Sequence, residues 1–279
     1  MTAPLMLVTG STDGIGKAIA TELLRGGAEV ILHGRDDKKG RRVRKEMEDA
    51  SGKSPGLVIA DFSRPGEIRE MAADLSARYS RLDVLINDAG TYQASRHVTP
   101  EGVELTFAVN YLGPFLLTWL LLPLMGEGSR IVTIASSAHF DVDRIDWENL
   151  PAQPKYDAWG AYSLSKFADV TFTYVLARNL RGTGITANCL HPGVVDTKIL
   201  HASYPGYHGI PTEEAAQTPV WLARSPDIAG VTGKYFEEKR AIPSSPLSRD
   251  RRVQERLWKM AEELTGTGGM GKQALVTAT

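Results

Sequence analysis

The sequence predicts an α/β protein with one doubly wound domain, in which helices cover both faces of a parallel sheet of about seven strands. Short apolar runs alternate with segments of helical periodicity along most of the 279 residues. Runs such as Val30-Ile31-Leu32 are continuous rather than alternating, which is typical of strands covered on both faces. Because the strand–helix unit repeats, the sheet is expected to be parallel, with right-handed crossovers.

The predicted elements follow one another as strand–helix pairs. Strands are expected at residues 5–9, 28–33, 56–61, 82–87, 130–135 and 185–191, and helices at 14–26, 37–50, 65–79, about 98–125 and 158–180. Two long loops, 141–156 and 202–211, each follow a strand. Both loops are therefore expected at the carboxyl edge of the sheet, where open α/β sheets bind ligands.

A single domain is expected to span residues 1–279, since no repeat and no linker divides the chain. Its core is predicted over about residues 4–240, and residues 241–279 are expected to add a C-terminal helix and a mobile tail. The helix is predicted at 250–264, after a Pro- and Ser-rich connection at 241–248, and the tail at 265–279.

The composition excludes several classes of protein. Lys and Arg number 32 and Asp and Glu 33, a net charge of −1, so binding of nucleic acid by bulk positive charge is excluded. The one cysteine, Cys189, cannot build a disulfide framework within the chain and is expected to be a buried thiol.

The longest apolar stretch, 115–125, is shorter than the roughly 20 residues of a membrane span. With no signal peptide evident, a cytoplasmic protein without a membrane span is expected.

A glycine-rich turn joins the first strand to the first helix. Glycine permits positive φ and close backbone approach, and the N–H groups that open the next helix attract a pyrophosphate. The turn therefore predicts the phosphate cradle of a Rossmann-type dinucleotide site, although a tight strand–helix turn needs glycines for steric reasons alone. The cradle comprises Gly10, Ser11, Thr12, Asp13, Gly14, Ile15 and Gly16.

The residue after the second strand favours NADP(H) as the cofactor, with NAD(H) as the alternative. A site for NAD places a carboxylate at the end of this strand to bind the ribose 2′-hydroxyl. Here that position is Gly34, and the next residue is Arg35. A guanidinium can bind a 2′-phosphate with two hydrogen bonds. The alternative is that Arg35 pairs with Asp36 or Asp37.

Tyr162 and Lys166 form a possible acid–base pair, because positions i and i+4 share one face of a helix. A free phenol has a pKa of about 10 and is a weak base at neutral pH. An ammonium about 4 Å away would favour the phenolate by roughly 4 kcal/mol at an effective dielectric near 20. A helix also carries such a pair by chance, so the pair needs support from its surroundings.

Other polar residues supply that support. Ser136 and Ser137 end the strand at 130–135, where a hydroxyl could bind a substrate carbonyl, although two serines also commonly form a turn. Asn110 lies in an apolar helical segment, which favours a buried, hydrogen-bonded amide over a surface residue.

These residues together resemble the short-chain dehydrogenase/reductase family over roughly residues 4–240. The likeness rests on ordered motifs at 9–16, Asp61, 87–90, Asn110, Ser136-Ser137, 162–166 and 191–193. Within the family the chain is similar to the retinol-dehydrogenase-like branch. The features of that branch are the long loop between Ser137 and Tyr162, His139, and the segment 233–236.

The resemblance implies catalytic roles for four residues. Tyr162 would be the general acid in reduction and the general base in oxidation, and Lys166 would lower its pKa and bind the nicotinamide ribose. Ser137, rather than Ser136, would orient the substrate carbonyl, and Asn110 would help to hold a water linked to Lys166.

The resemblance also implies further cofactor contacts. These are Asp61, Phe62, Asn87, Ala89, Gly90, Tyr162, Lys166, Pro192, Gly193, Val194 and Thr197. The chain departs from the family pattern at Asp88, where a second Asn is usual, and at Phe62, where Leu is common.

The substrate site is expected to be aromatic. Its predicted residues are Ser137, His139, Trp159, Tyr204 and Tyr207, although the last three could also be surface aromatics. No metal is expected, since no partner at metal spacing is evident for His201 and His208.

The predicted function is an NADP(H)-dependent carbonyl reductase or alcohol dehydrogenase that acts on a hydrophobic small molecule. The alternatives are a reductase of quinones or activated C=C bonds with the same cofactor site, and a non-catalytic regulator that senses NADP. No nucleic-acid partner is expected, and the sequence leaves open whether the protein is a monomer or a homo-oligomer.

Overall fold

One mostly parallel sheet forms the centre of the protein. The computed structural model describes residues 3–268, and the strands within them are β1 (Leu5–Val8), β2 (Glu29–Gly34), β3 (Gly56–Ile59), β4 (Val84–Asn87), β5 (Arg130–Ile134), β6 (Thr186–His191), β7 (Tyr235–Glu237) and β8 (Arg240–Ile242). Their order across the sheet is β3-β2-β1-β4-β5-β6-β7-β8. The first seven run parallel, and β8 pairs antiparallel with β7.

Helices cover both faces of this sheet. They are α1 (Gly14–Arg25), α2 (Asp37–Ser51), α3 (Pro65–Arg78), α4 (Leu105–Phe107), α5 (Gly113–Leu121), α6 (Ala158–Asn179), α7 (Lys198–Ser203), α8 (Thr212–Ala215), α9 (Gln217–Arg224) and α10 (Arg251–Thr265). Leu7 of β1 packs in the core with α3, α5 and α6, whereas its neighbour Val8 packs in the core with α1, α2 and α9. Since both faces of β1 are buried, the predicted fold class is confirmed; the antiparallel β8 is an addition to it.

The position of the functional residues follows from where the strands end and the helices begin. The strand order reverses at β1, which lies between β2 and β4, so the turns after β1 and β4 open at the same point of the carboxyl edge. Asp13 caps α1 by accepting the N–H of Gly14 at 3.0 Å. Asp157 caps α6 by accepting the N–H of Gly160 at 2.7 Å. Each cap sets which side chains of its helix face the sheet edge.

The helix predicted from about residue 98 begins later, at Leu105. Gly102 closes a turn by donating its N–H to Thr99 at 2.9 Å, and the Glu104 carboxylate then caps α4. A π turn at Ala108–Leu112 joins α4 to α5. The whole stretch, Leu105–Leu124, is long and apolar enough by length and composition to cross a membrane, and 83% of the window that meets this test is buried inside the protein.

The C-terminal helix begins at Arg251, behind the capping carboxylate of Asp250, and ends at Thr265. The tail predicted at 265–279 lies, from residue 269 onward, outside the described residues. That residues 1–279 form one domain remains a prediction.

Candidate active site

The glycine turn after β1 is closely packed against its surroundings. Gly10 has a φ of +69° and donates its N–H to Nδ1 of His33 at 3.1 Å. A Cβ at Gly16 would lie 2.5 Å from Oδ2 of Asp88, and a Cβ at Gly34 would lie 2.6 Å from Cγ2 of Thr12. Both contacts are too short for a side chain, so the close approach of these segments requires glycine.

A groove of about 880 Å³ runs from this turn toward β4. The predicted cofactor residues that line it are Gly10, Thr12, Asp13, Gly14, Ile15, Arg35, Asp61, Phe62, Ala89, Gly90 and Thr197. Ser11, Gly16 and Asn87 lie beneath it instead. The Ser11 hydroxyl accepts the N–H of His33 at 2.9 Å, and the Asn87 amide nitrogen donates to Thr118 at 3.2 Å, while Oδ1 of Asn87 has no hydrogen-bond partner within residues 3–268.

The charges around the groove suit an anion. Asp13 binds Lys39 and Lys198, each at 2.6 Å, which brings two ammonium groups beside the N-terminus of α1. Asp36 caps α2, and Asp37 pairs with Arg41 at 2.8 Å. Arg35 makes no ion pair within 4.0 Å among residues 3–268, so neither Asp36 nor Asp37 occupies it.

His33 shapes the floor of the groove, a role that the sequence reasoning missed. Its Nε2–H donates to the carbonyl of Ala60 at 3.1 Å, and its ring stacks on Phe62 at 4.4 Å between centroids. Burial lowers the pKa of His33 to about 4, so the ring is neutral and its Nδ1 can accept the N–H of Gly10. A histidine inside an apolar strand was the available signal.

A second cavity, of about 290 Å³, adjoins the groove and holds the predicted acid–base pair. Tyr162 and Lys166 both line it, together with the predicted residues Ile15, Gly90, Ser137, Trp159, Pro192, Gly193, Val194, Thr197, Tyr204 and Tyr207. The Tyr162 ring contacts two aromatic side chains, Tyr92 at 6.0 Å and Trp159 at 5.7 Å between centroids. The cavity therefore has an aromatic wall next to a phenolic hydroxyl.

Lys166 is buried and held by two acceptors. Its Nζ donates to the carbonyl of Ile134 at 2.8 Å and to Oδ2 of Asp169 at 3.0 Å. Burial raises the pKa of Asp169 to about 6, although Lys166 opposes this. Burial also disfavours the Lys166 ammonium, but Asp169, together with Tyr162 and Asp88, outweighs this effect, and the pKa of Lys166 is raised. Asp169 was missed from the sequence; a carboxylate three residues after Lys166, among apolar neighbours, was the available signal.

The two serines after β5 have different surroundings. Ser136 is half-buried, lines the cavity and accepts the N–H of Ala138 through its hydroxyl oxygen at 3.1 Å. Ser137 is more exposed, lines the cavity and donates its backbone N–H to Nδ1 of His191 at 3.2 Å. Burial raises the pKa of Tyr162, while Lys166 and Ser136 lower it. Both serines line the cavity, and of the two it is Ser136 that lowers the pKa of Tyr162.

Two further predicted site residues, Asn110 and His139, do not line either cavity. The Asn110 amide accepts the N–H of Thr91 at 2.7 Å and donates to the Thr91 carbonyl and to Ser165, so it ties the loop after β4 to α6. His139 is fully buried; its Nδ1–H donates to the Ser136 carbonyl at 2.6 Å, and its Nε2 accepts the N–H of Ser245 at 3.1 Å. Both residues hold the backbone near the site.

His201 and His208 do have a carboxylate neighbour. Their ring nitrogens and a carboxylate oxygen of Asp196 lie within 4.8 Å of one another, because the loop folds back so that Ile210 donates its N–H to Val194. All three side chains are exposed. The same loop bears Tyr204 and Tyr207, which are 48% and 57% exposed at the mouth of the smaller cavity.

Known proteins resemble this chain over most of its length. The model of the short chain dehydrogenase family matches residues 4–207. Retinol dehydrogenase 14 of Mus musculus is 37% identical over 94% of this chain and 85% of its own length. Polyprenol dehydrogenase of Mus musculus is 35% identical over 94% of this chain and 84% of its own length. The crystal structure of a short chain dehydrogenase from Burkholderia cenocepacia J2315 in complex with NADP is 26% identical, covers 84% of this chain and 95% of that one, and gives a TM-score of 0.69.

These likenesses confirm the family and the branch that the motifs indicated, and they correct the expected location. The prediction of a cytoplasmic protein is wrong. The relatives are named for retinol and polyprenol, which are isoprenoid lipids of low solubility in water, and the chain contains an apolar helical stretch, Leu105–Leu124.

Proposed function

The chain belongs to the short chain dehydrogenase family, and on that premise we propose that it uses NADP(H) to interconvert a hydrophobic ketone or aldehyde with its alcohol, with Tyr162 as general acid and base. That the chain is an oxidoreductase of the alcohol/carbonyl class follows from its family. The observation that carries the finer proposal is that Tyr162 and the buried Lys166 together line the smaller cavity, which adjoins the groove.

The large groove fits a phosphorylated dinucleotide. Its glycines leave no room for side chains at the turn, and the N-terminus of α1 with Lys39 and Lys198 favours a pyrophosphate. Arg35, without an acidic partner among residues 3–268, is available for a 2′-phosphate. The Burkholderia cenocepacia relative was crystallised with NADP, which supports the same choice here. When bound, the reduced cofactor supplies the hydride that reduces the carbonyl carbon.

The protein supplies the proton and the orientation. In reduction the O–H bond of Tyr162 breaks and its proton forms a new O–H bond on the carbonyl oxygen, which leaves an alcohol and a tyrosinate. Lys166 stabilises that tyrosinate, and a hydroxyl from Ser136 or Ser137 orients the carbonyl beside it. Oxidation of the alcohol is the reverse of these steps, with the tyrosinate as the base.

The smaller cavity favours an apolar substrate. Trp159, Tyr204 and Tyr207 line it as an aromatic wall, with Trp159 and Tyr204 at 5.3 Å between centroids. Its basic side chains, among residues 3–268, are Lys166 and His191, and both are hydrogen-bonded within the protein. A hydrophobic carbonyl compound therefore suits the cavity better than an anion does.

Consumption of NADPH by the purified protein, with a panel of hydrophobic ketones, aldehydes and quinones, tests the proposal. Tyr162→Phe should lower turnover by roughly 10²- to 10⁴-fold, because it removes the transferable proton, while the affinity for NADPH stays the same. Undiminished turnover in this variant would rule out the mechanism. Product analysis distinguishes alcohols from reduced quinones or C=C bonds, and NADPH binding without consumption of any substrate would favour a sensing role.

The cofactor preference has a test of its own. Arg35→Ala should raise the KM for NADPH roughly 10- to 100-fold through the loss of charge-assisted hydrogen bonds, with little change for NADH. Arg78→Ala, on the surface of α3, is the matched control and should change neither constant. Equal effects of Arg35→Ala on the two cofactors would refute the preference for NADP(H).

A further inference from the structure

One carboxylate accepts a hydrogen bond from the ammonium of Lys166, and a second carboxylate lines the same cavity as Lys166. Asp169 is 1% exposed, and one of its oxygens accepts from Nζ of Lys166 at 3.0 Å, while the other has no hydrogen-bond partner within residues 3–268. Asp88 is held over the glycine turn, lines both cavities and interacts electrostatically with both Lys166 and Tyr162. The proton-transfer site is therefore a cluster of four ionisable groups rather than an isolated tyrosine–lysine pair.

The hydrogen bonds of Lys166 limit what it can do. An ammonium group has three N–H donors. The Ile134 carbonyl takes one and Asp169 takes another, which leaves one for the cavity. Asp169 thus fixes the direction in which Lys166 points, and its negative charge reduces the field that Lys166 exerts on the phenol.

The groups that face Tyr162 come from several elements. Lys166 and Asp169 lie on α6 and Asp88 follows β4. Tyr92, whose ring contacts Tyr162, lies in the loop after β4. Lys166 lowers the pKa of Tyr162, whereas burial, Asp169 and Asp88 raise it. Asp169 also faces two buried neutral groups, Tyr111 and Cys189, which add no charge of their own.

We propose that Asp169, supported by Asp88, is a positioning residue that holds Lys166 in place and offsets its charge, so that Tyr162 keeps its proton at neutral pH and the resting site is a proton donor. The inference rests on the proposed function and deepens it. The cluster does not alter the equilibrium of the reaction; it sets the pH at which Tyr162 changes from donor to acceptor.

The test is the pH dependence of kcat/KM for reduction and for oxidation in Asp169→Asn and Asp88→Asn. Both exchanges keep the size of the side chain and remove its charge. The falling limb for reduction and the rising limb for oxidation should both move to lower pH, by about one pH unit for Asp169→Asn and less for Asp88→Asn. Asp74→Asn on the surface of α3 is the matched control and should leave both limbs unchanged.

The inference would be overturned if the midpoints of these limbs of the kcat/KM profiles were unchanged in Asp169→Asn or moved to higher pH. A merely structural role would lower the stability of the variant without moving the midpoint. If Asp169→Asn does not yield folded protein, the shift in Asp88→Asn decides by the same criterion. An active wild-type enzyme that is insensitive to Tyr162→Phe would instead refute the proposed function, so the two failures are distinguishable.

Discussion

Asp13, at the large groove, and Asp169, which binds Lys166 of the smaller cavity, are both paired with lysine, yet their pKa values shift in opposite directions. Asp13 is about half exposed and binds Lys39 and Lys198. Burial raises its pKa somewhat, but the hydrogen bonds from the two lysines outweigh this and lower it. Asp169 is buried, and although Lys166 opposes the effect, burial raises the pKa of Asp169 to about 6.

The difference shows that exposure to water, more than the pairing with lysine, determines whether the pKa of the carboxylate is lowered or raised. At the exposed entrance, water solvates both charges, so the pair costs little and its lysines can exchange Asp13 for a phosphate. In the buried site neither charge is solvated, so each depends on the other and both influence Tyr162. The exposed entrance is therefore suited to binding a phosphate, and the buried cluster to setting the pKa of Tyr162.

Removal of one lysine from each region should give the largest difference in the free energy of unfolding. Lys166→Met leaves Asp169 buried without a partner and should lower the free energy of unfolding by about 3–5 kcal/mol. The loss should shrink as the pH falls, because Asp169 can then take up a proton. Lys198→Met, which removes an exposed partner of Asp13, should leave the stability unchanged.

Urea denaturation at pH 5 and pH 8 measures both variants in the same way. Similar stabilities for Lys166→Met and Lys198→Met would mean that water reaches Asp169, and the contrast between the two regions would then be lost.

Each region also contains a buried neutral histidine, which predicts acid sensitivity. Burial lowers the pKa of His33, at the floor of the groove, to about 4, and that of His191, in the smaller cavity, also to about 4. The unfolded chain therefore binds these protons first as the pH falls. Stability should be complete above about pH 6.5 and should fall toward pH 4, by up to roughly 3 kcal/mol for each histidine.

The measurement is the free energy of unfolding between pH 4.5 and 8. His191→Asn should show a shallower decline on the acid side than the wild type, and the exposed His97→Asn is the control with an unchanged slope. A wild-type stability that is flat across this range would contradict the buried, neutral state of both histidines.

Local spacing explains which parts of the site the sequence could predict. The i, i+4 spacing of Tyr162 and Lys166 follows from the geometry of one helix, and the glycine turn from the geometry of one connection. Local sequence is therefore enough to predict that the pair and the turn lie next to cavities, and the structure has them in the linings of the smaller cavity and the groove. Asp169 lies on the same helix, and its apolar neighbours indicate a buried carboxylate, but nothing in the local sequence indicates that this carboxylate pairs with Lys166 rather than with another group.

Contacts between distant segments could not be predicted. His139 is predicted in the substrate site, yet its Nε2 accepts the N–H of Ser245, which lies 106 residues further along the chain. His201 and His208 meet Asp196 only because the backbone folds back between Val194 and Ile210. The start of α4 at Leu105 depends on the Glu104 cap, which overrides the apolar periodicity that begins earlier. In each case the deciding interaction is tertiary or lies at a single cap.

The smallest expected effect concerns the loop over the mouth of the smaller cavity. Tyr207 is 57% exposed, so Tyr207→Ala removes only part of an apolar contact and should raise the KM for a hydrophobic carbonyl substrate a few-fold, about 1 kcal/mol or less, with no change in the KM for NADPH. Phe140→Ala, an exposed aromatic that does not line either cavity, is the control. A change in the NADPH constant alone would assign the Tyr207 loop to the cofactor groove instead, because a residue that contacts only substrate cannot alter the affinity of the free enzyme for the dinucleotide.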